Sequence, residues 1–161
     1  MATKKRSYKA KTIIGWREWC ELEKLGLPGV AAKIDTGAKT SSLHAFKLNY
    51  REKSNGTWVD FYVHPVQRHK DPQIKCKARV IEMRSVVSSN GQAEKRPVIK
   101  TRIILGPHSF LTEITLTNRD EMGYRMLIGR QSLAPRFIVD SSLSWALGDR
   151  DENELYPGAM P

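Results

Sequence analysis

Short stretches in which apolar and polar residues alternate with period two dominate this chain, which predicts strands rather than helices. Thr12–Trp16 is apolar and β-branched and opens the first strand, and Trp16–Leu22 alternates apolar with charged residues, as a strand with one buried face does. Leu25–Gly29 reads as a turn, followed by a strand Val30–Ile34 that stops at Asp35-Thr36-Gly37. Leu43–Tyr50 and Thr57–Val63 flank the turn signal Lys53–Gly56 as a hairpin. His64–Gln73, with two prolines and two histidines, reads as a loop. Lys75–Val87 predicts a long strand whose change of phase at Val80-Ile81 calls for a bulge. Pro97–Leu105 returns from a turn at Ser88–Gly91, and Phe110–Thr117 alternates cleanly. After a loop at Asn118–Tyr124 come a short buried strand Arg125–Ile128, a helical turn Gly129–Leu133 stopped by Pro135, and a last strand Phe137–Val139. Short strands with turn signals every ten or so residues predict a mostly-β closed barrel or sandwich. The expected organisation is a basic disordered tail over 1–11, one domain over 12–148 and a loose tail over 149–161.

Composition narrows the class. A chain of 161 residues can bury one real core but is too short for a two-lobed enzyme carrying two copies of such a fold. With 40% apolar and 27% charged residues it reads as a globular, water-soluble protein. No apolar run approaches twenty residues, so no membrane span is expected. The basic start Met1–Arg6 is not followed by an apolar core of the secretory kind, so a cytoplasmic location is expected. Cys20 and Cys76 fit two reduced thiols. The net charge is +10, and five cations, Lys4, Lys5, Arg6, Lys9 and Lys11, fall at the start. An acidic partner suits that balance.

The candidate chemistry lies at Asp35. A strand that delivers a carboxylate into a turn holds it on a rigid base; Thr36 supplies a hydroxyl to tie the turn, and Gly37 is read as permitting an unusual backbone path. Far downstream, Met126-Leu127-Ile128-Gly129-Arg130-Gln131-Ser132-Leu133 joins an apolar run to Gly-Arg and a helical turn. Together these segments resemble the retropepsin aspartic proteases, with their apolar-Asp-Thr-Gly-Ala and Ile-Ile-Gly-Arg-x-x-Leu motifs. Asp35-Thr36-Gly37-Ala38-Lys39-Thr40-Ser41-Ser42-Leu43 is similar to a bacterial group labelled ATP-dependent zinc proteases and associated with ribosomal-protein-modification glutamate ligases. Gly15–Trp19 and Leu116–Asp120 extend the likeness to about residues 12–145.

The resemblance implies a retropepsin-like closed β-barrel, the acid-protease fold, with one short helix near the C-terminus. It implies an aspartic-type peptidase that is a homodimer, because the chain has one Asp-Thr-Gly and the chemistry needs two carboxylates sharing a proton. Asp35, Thr36 and Gly37 would be catalytic, with Thr36 bracing the two turns against each other. Ala38, Lys39, Ile128 and the hairpin tip at Asn90 and Gly91 would meet substrate, while Gly129 and Arg130 would support the turn from behind. Viral relatives carry Asp where Lys39 stands, so an acidic peptide or protein, linked to glutamate tailing of a ribosomal protein, is the expected substrate. Ile138-Val139-Asp140-Ser141-Ser142 echoes the motif but lacks its glycine and reads as a strand ending in a turn.

The residues give the group's label no support. His44, His64, His69, His108 and Cys76 have no paired zinc-ligand spacing, His64 and His69 are expected in solvent, and no Gly-Lys-Ser/Thr follows Gly26 or Gly29. No metal and no cofactor is expected. The alternative class is a basic β-barrel that binds RNA, the ribosome or peptide without catalysis. Lys75, Lys77 and Arg79, with Lys95, Arg96, Lys100 and Arg102, could follow a phosphate backbone, but no RNP-like aromatic pattern supports base stacking and a solvated sheet face is the favoured reading.

Overall fold

A computed structural model describes residues 10–88, 90–118 and 123–158. Eleven strands carry the fold: β1 (Thr12–Ile14), β2 (Arg17–Leu22), β3 (Leu27–Ile34), β4 (Ser41–His44), β5 (Phe46–Lys53), β6 (Gly56–Val63), β7 (Ile74–Val87), β8 (Ala93–Leu105), β9 (His108–Thr117), β10 (Met126–Ile128) and β11 (Phe137–Val139). Two four-residue helices, α1 (Arg130–Leu133) and α2 (Glu152–Leu155), complete it. Six strands in the order β2-β3-β10-β4-β9-β8 form a closed barrel, and Glu21 pairing with Ile104 joins β8 back to β2. Closure leaves those six strands no free edge. β7, β6 and β5 continue outward from β8 as an antiparallel extension, and β1 pairs in parallel with β11 as a separate ribbon. Alternation explains the core: Val59, Phe61 and Val63, or Ile103 and Leu105, turn inward and are fully buried, joining Leu22, Val30, Leu43, Ile114 and Ile128 in one cluster.

Several boundaries move. β3 begins at Leu27, because a 3-10 turn over Glu23–Leu25, closed by Gly26 at φ +72° with its N–H on Glu23 O at 3.0 Å, makes the reversal and returns Leu27 to pair with Leu22. The stretch read as one strand over Leu43–Tyr50 breaks at Ala45, whose N–H leaves the hairpin to bond Thr117 O of β9 at 2.9 Å. The phase change in β7 is a bulge between Val80 and Glu82. Among the described residues a second short α-helix follows the first, and residues 149–158 make specific contacts. Trp19 Nε1 donates to Asp149 at 3.0 Å, Asp151 caps α2, and buried Tyr156 donates its hydroxyl to Gly29 O at 2.6 Å. Gly29 admits this packing because a Cβ there would lie 2.7 Å from Leu155 Cδ1.

Candidate active site

Asp35 is placed by two strands. β3 and β10 run in parallel with Ile34 opposite Ile128, and the Asp35 N–H bonds Ile128 O at 2.9 Å. Both isoleucines are buried in the core, so the carboxylate stands on a fixed floor while remaining half-exposed itself. Its Oδ1 accepts the N–H of Gly37 at 3.0 Å, an Asx turn, and Ala38 N closes the loop on Asp35 O at 3.3 Å. Among the described residues no Lys or Arg forms an ion pair with it. The expected reason for Gly37 is corrected: its φ is not in the left-handed region. What it lacks is room, since a Cβ would sit 3.2 Å from Asp35 Oδ1.

The second segment lies behind the turn. Arg130 spans it with one guanidinium nitrogen donating to Thr36 O and Gly37 O, both at 3.0 Å. Arg130 N and Gln131 N bond Ala38 O and Lys39 O at 2.8 and 3.1 Å, tying α1 to the residues that follow the aspartate. Gly129 is required by closeness: a Cβ would fall 2.8 Å from Thr40 C and 2.9 Å from Ala38 O, both backbone. Sequence reasoning missed the hydroxyls beneath. Ser132 Oγ lies 2.8 Å from Ser41 Oγ and 2.6 Å from Thr112 Oγ1, and Ser41 Oγ accepts Gly129 N at 3.1 Å, all buried. Only Thr112, in phase with Phe110 and Ile114 on β9, stands at a position that alternation assigns to the interior, where a hydroxyl needs a partner.

The structure thus gathers Asp35, Thr36, Gly37, Ala38, Lys39, Gly129 and Arg130 around one turn, with Thr36, Gly37 and Lys39 exposed at its rim. Ile128, expected to meet substrate, is fully buried and supports the floor beneath the turn. Asn90 and Gly91 form the tip of the β7–β8 hairpin, where Gly91 N bonds Ser88 O at 2.9 Å, and no described hydrogen bond joins them to the Asp35 turn. Ser89 of that tip, and Arg119 and Asp120 of the downstream likeness, lie outside the described residues. Arg84 links hairpin and site, at 3.5 Å from Thr40 Oγ1, while paired with Glu82 and with Glu113 at 2.9 Å. In the motif echo, β11 ends and Asp140 accepts Ser142 N at 2.9 Å, a strand closing in a turn.

The donors for a metal are dispersed. Among the described residues no group of three or more His, Cys, Asp or Glu side chains is arranged to hold a metal ion. His108 is hydrogen-bonded to Thr12 Oγ1 at 2.7 Å. His64, expected in solvent, is buried with its ring stacked 4.2 Å from Phe46, because it directly follows β6, whose Tyr62 pairs with Phe46 of β5; His69 is exposed. Both cysteines are free and buried, and burial pushes both thiols up, Cys76 to about 12, which leaves neither as a reactive thiolate. These residues do not fit a zinc centre. No helix among the described residues is long and apolar enough to cross a membrane.

Comparison with known proteins bears on this geometry. The family described as retropepsin-like aspartic endopeptidase RimB (RimB-like) matches residues 13–147. The chain is 44% identical over 145 residues to a protein of Shewanella halifaxensis (strain HAW-EB4) named "Probable alpha-L-glutamate ligase", covering 90% of this chain and 32% of that protein. A protein of the same name from Parasynechococcus marenigrum (strain WH8102) is 44% identical over 90% of this chain and 31% of its own length. The chain thus spans about a third of the length of the curated relatives it matches. A crystal structure of a Legionella pneumophila protein of unknown function superposes with a TM-score of 0.71 at 27% identity, covering 86% of this chain and 99% of that one. With the family match running through both the Asp35 turn and the Gly129-Arg130 segment, the chain belongs to the RimB-like family of retropepsin-like aspartic endopeptidases.

Proposed function

We propose that this domain is a homodimeric aspartic peptidase in which the two copies of Asp35 form the catalytic pair, acting on acidic or glutamate-tailed protein. The observation that carries the reading is the double clamp on the Asp35 turn: β10 holds its backbone and Arg130 holds two of its carbonyls, while the carboxylate is left half-exposed. Such rigidity is costly for an ordinary surface turn and useful for a group that must meet its twin within a hydrogen-bond length. Two carboxylates that close share one proton. The ionised Asp35 takes a proton from water, which attacks the peptide carbonyl carbon. The protonated Asp35 of the second copy gives its proton to the carbonyl oxygen. On collapse the first Asp35 passes the proton taken from water to the leaving nitrogen while the second retakes one from a hydroxyl of the tetrahedral species, so that amine and acid leave and the pair again holds one proton. Exposed Ile13 and Ile138, opposite each other on β1 and β11, offer apolar surface for a second copy to cover.

Substrate charge follows from the rim. Lys33, Lys39 and Arg130 are exposed around the Asp35 turn, so an anionic peptide is drawn in. Relatives named for glutamate ligation carry this domain as about a third of their length, which agrees with a glutamate-rich substrate. The test is Asp35→Asn, which keeps the shape and removes the ionisable group. Cleavage of a glutamate-rich peptide should fall at least about 10³-fold with melting temperature unchanged. A mutant as active as wild type would make Asp35 a turn residue and favour a binding module without catalysis.

A further inference from the structure

The outer face of the β5–β6–β7 extension is cationic, and the catalytic reading does not use it. Register places Arg51 and Lys53 of β5, and Lys75, Lys77 and Arg79 of β7, on one face, five exposed cations against the single carboxylate of Asp60. Asp60 is already paired with Arg51 at 2.7 Å. Between the two cationic rows, on β6, lie Trp58 opposite both Arg51 and Arg79, and Tyr62 opposite Lys75. Both rings are half-exposed, and Lys53 Nζ sits 4.7 Å over the centre of Trp58. A hollow of about 370 Å³ is bordered by Arg51, Lys53, Asp60, Lys75 and Lys77 of this face and by Cys76.

We infer that this face binds a segment of single-stranded nucleic acid, with phosphates along the Lys75-Lys77-Arg79 row and bases against Trp58 and Tyr62. Alternate residues of a strand are spaced about 7 Å apart, comparable to successive phosphates of an extended single strand. Aromatic rings set among cations on an open antiparallel sheet suit stacked bases, which every nucleotide presents. An acidic peptide would use the cations but give the two rings no counterpart, so the aromatic row decides for nucleic acid. In sequence the rings and the lysines are seventeen or so residues apart, and only the β6–β7 register brings them together.

The test titrates the full chain into a fluorescein-labelled oligouridylate of roughly ten nucleotides and follows anisotropy from low to moderate salt. Lys75→Gln/Lys77→Gln should weaken binding about tenfold or more and reduce the magnitude of the slope of log K against log salt by about 1.4, at ~0.7 per phosphate contact. Trp58→Leu should weaken binding and leave that slope unchanged. Neither variant should alter peptide cleavage, since none of the three side chains has a described hydrogen bond or ion pair with the Asp35 turn. The cationic start of the chain is common to every protein compared, so only the differences report on the face. No binding at low salt, a double variant that binds as wild type, or decaglutamate displacing the oligonucleotide with Trp58→Leu having no effect would each overturn the assignment.

Discussion

Arg130 and Gly129 decide whether Asp35 is held or merely present. One guanidinium nitrogen bonds both carbonyls of the turn, and a lysine ammonium, on a shorter stem without the planar group, does not reach the same place. Arg130→Lys should therefore lower turnover of an acidic peptide by roughly 10–100-fold, the scale of a catalytic group displaced by about an ångström. Its melting temperature should stay close to wild type, because the side chain is exposed. Gly129→Ala is the converse. Its new Cβ meets the backbone of Ala38 and Thr40, so the fold itself should lose about 1–3 kcal/mol in denaturant titration, with activity falling alongside. Arg130→Lys with full activity would show that the pairing strands alone position the aspartate.

At the scale of elements, the C-terminal segment is the clearest addition to what alternation predicts. α2 and Tyr156 seal the β3 side of the barrel through the Tyr156–Gly29 bond, and burial holds the phenol well above its ordinary value of 10, at about 12. Cys76, beside the same region, is held at about 12 against 9. In the folded state both keep protons that the unfolded chain gives up, so their contribution is complete below about pH 9 and drains away as pH rises to about 12. Denaturant midpoints measured from pH 8 upward should fall across that window. Tyr156→Phe should fall less steeply, and it should start about 1 kcal/mol lower at neutral pH for the lost hydrogen bond. An equal fall in both proteins would detach Tyr156 from the effect. The strands were legible because period two records which face is buried, and the β7 bulge was legible as a slip of that period. This tail was not, because four helical residues and one anchoring tyrosine leave no periodic signal. The Asp35 turn and its Gly-Arg support could be read as motifs, whereas Ile128 could not be assigned to the floor, nor the Ser41–Ser132–Thr112 cluster found, without the strand pairing that brings them together.

At the scale of the whole molecule, barrel closure presents one Asp35 turn, rimmed by exposed cations, on a chain of net charge +10. Because those rim charges are exposed, salt screens them over about 10 Å at 0.1 M, and kcat/KM for a glutamate-rich peptide should fall as salt rises while that for a neutral peptide holds steady. Equal salt responses would remove charge from the account of substrate choice. The central claim is that one active site is built from two chains. It is tested most directly by mixing wild type with Asp35→Asn at fixed total concentration, allowing exchange, and measuring cleavage as the mutant fraction rises. If both carboxylates are needed, an equal mixture retains about one quarter of the wild-type rate, because only wild-type pairs are competent. Retention of about one half, with activity falling in direct proportion to the mutant fraction, would mean that each chain works alone and would contradict the account.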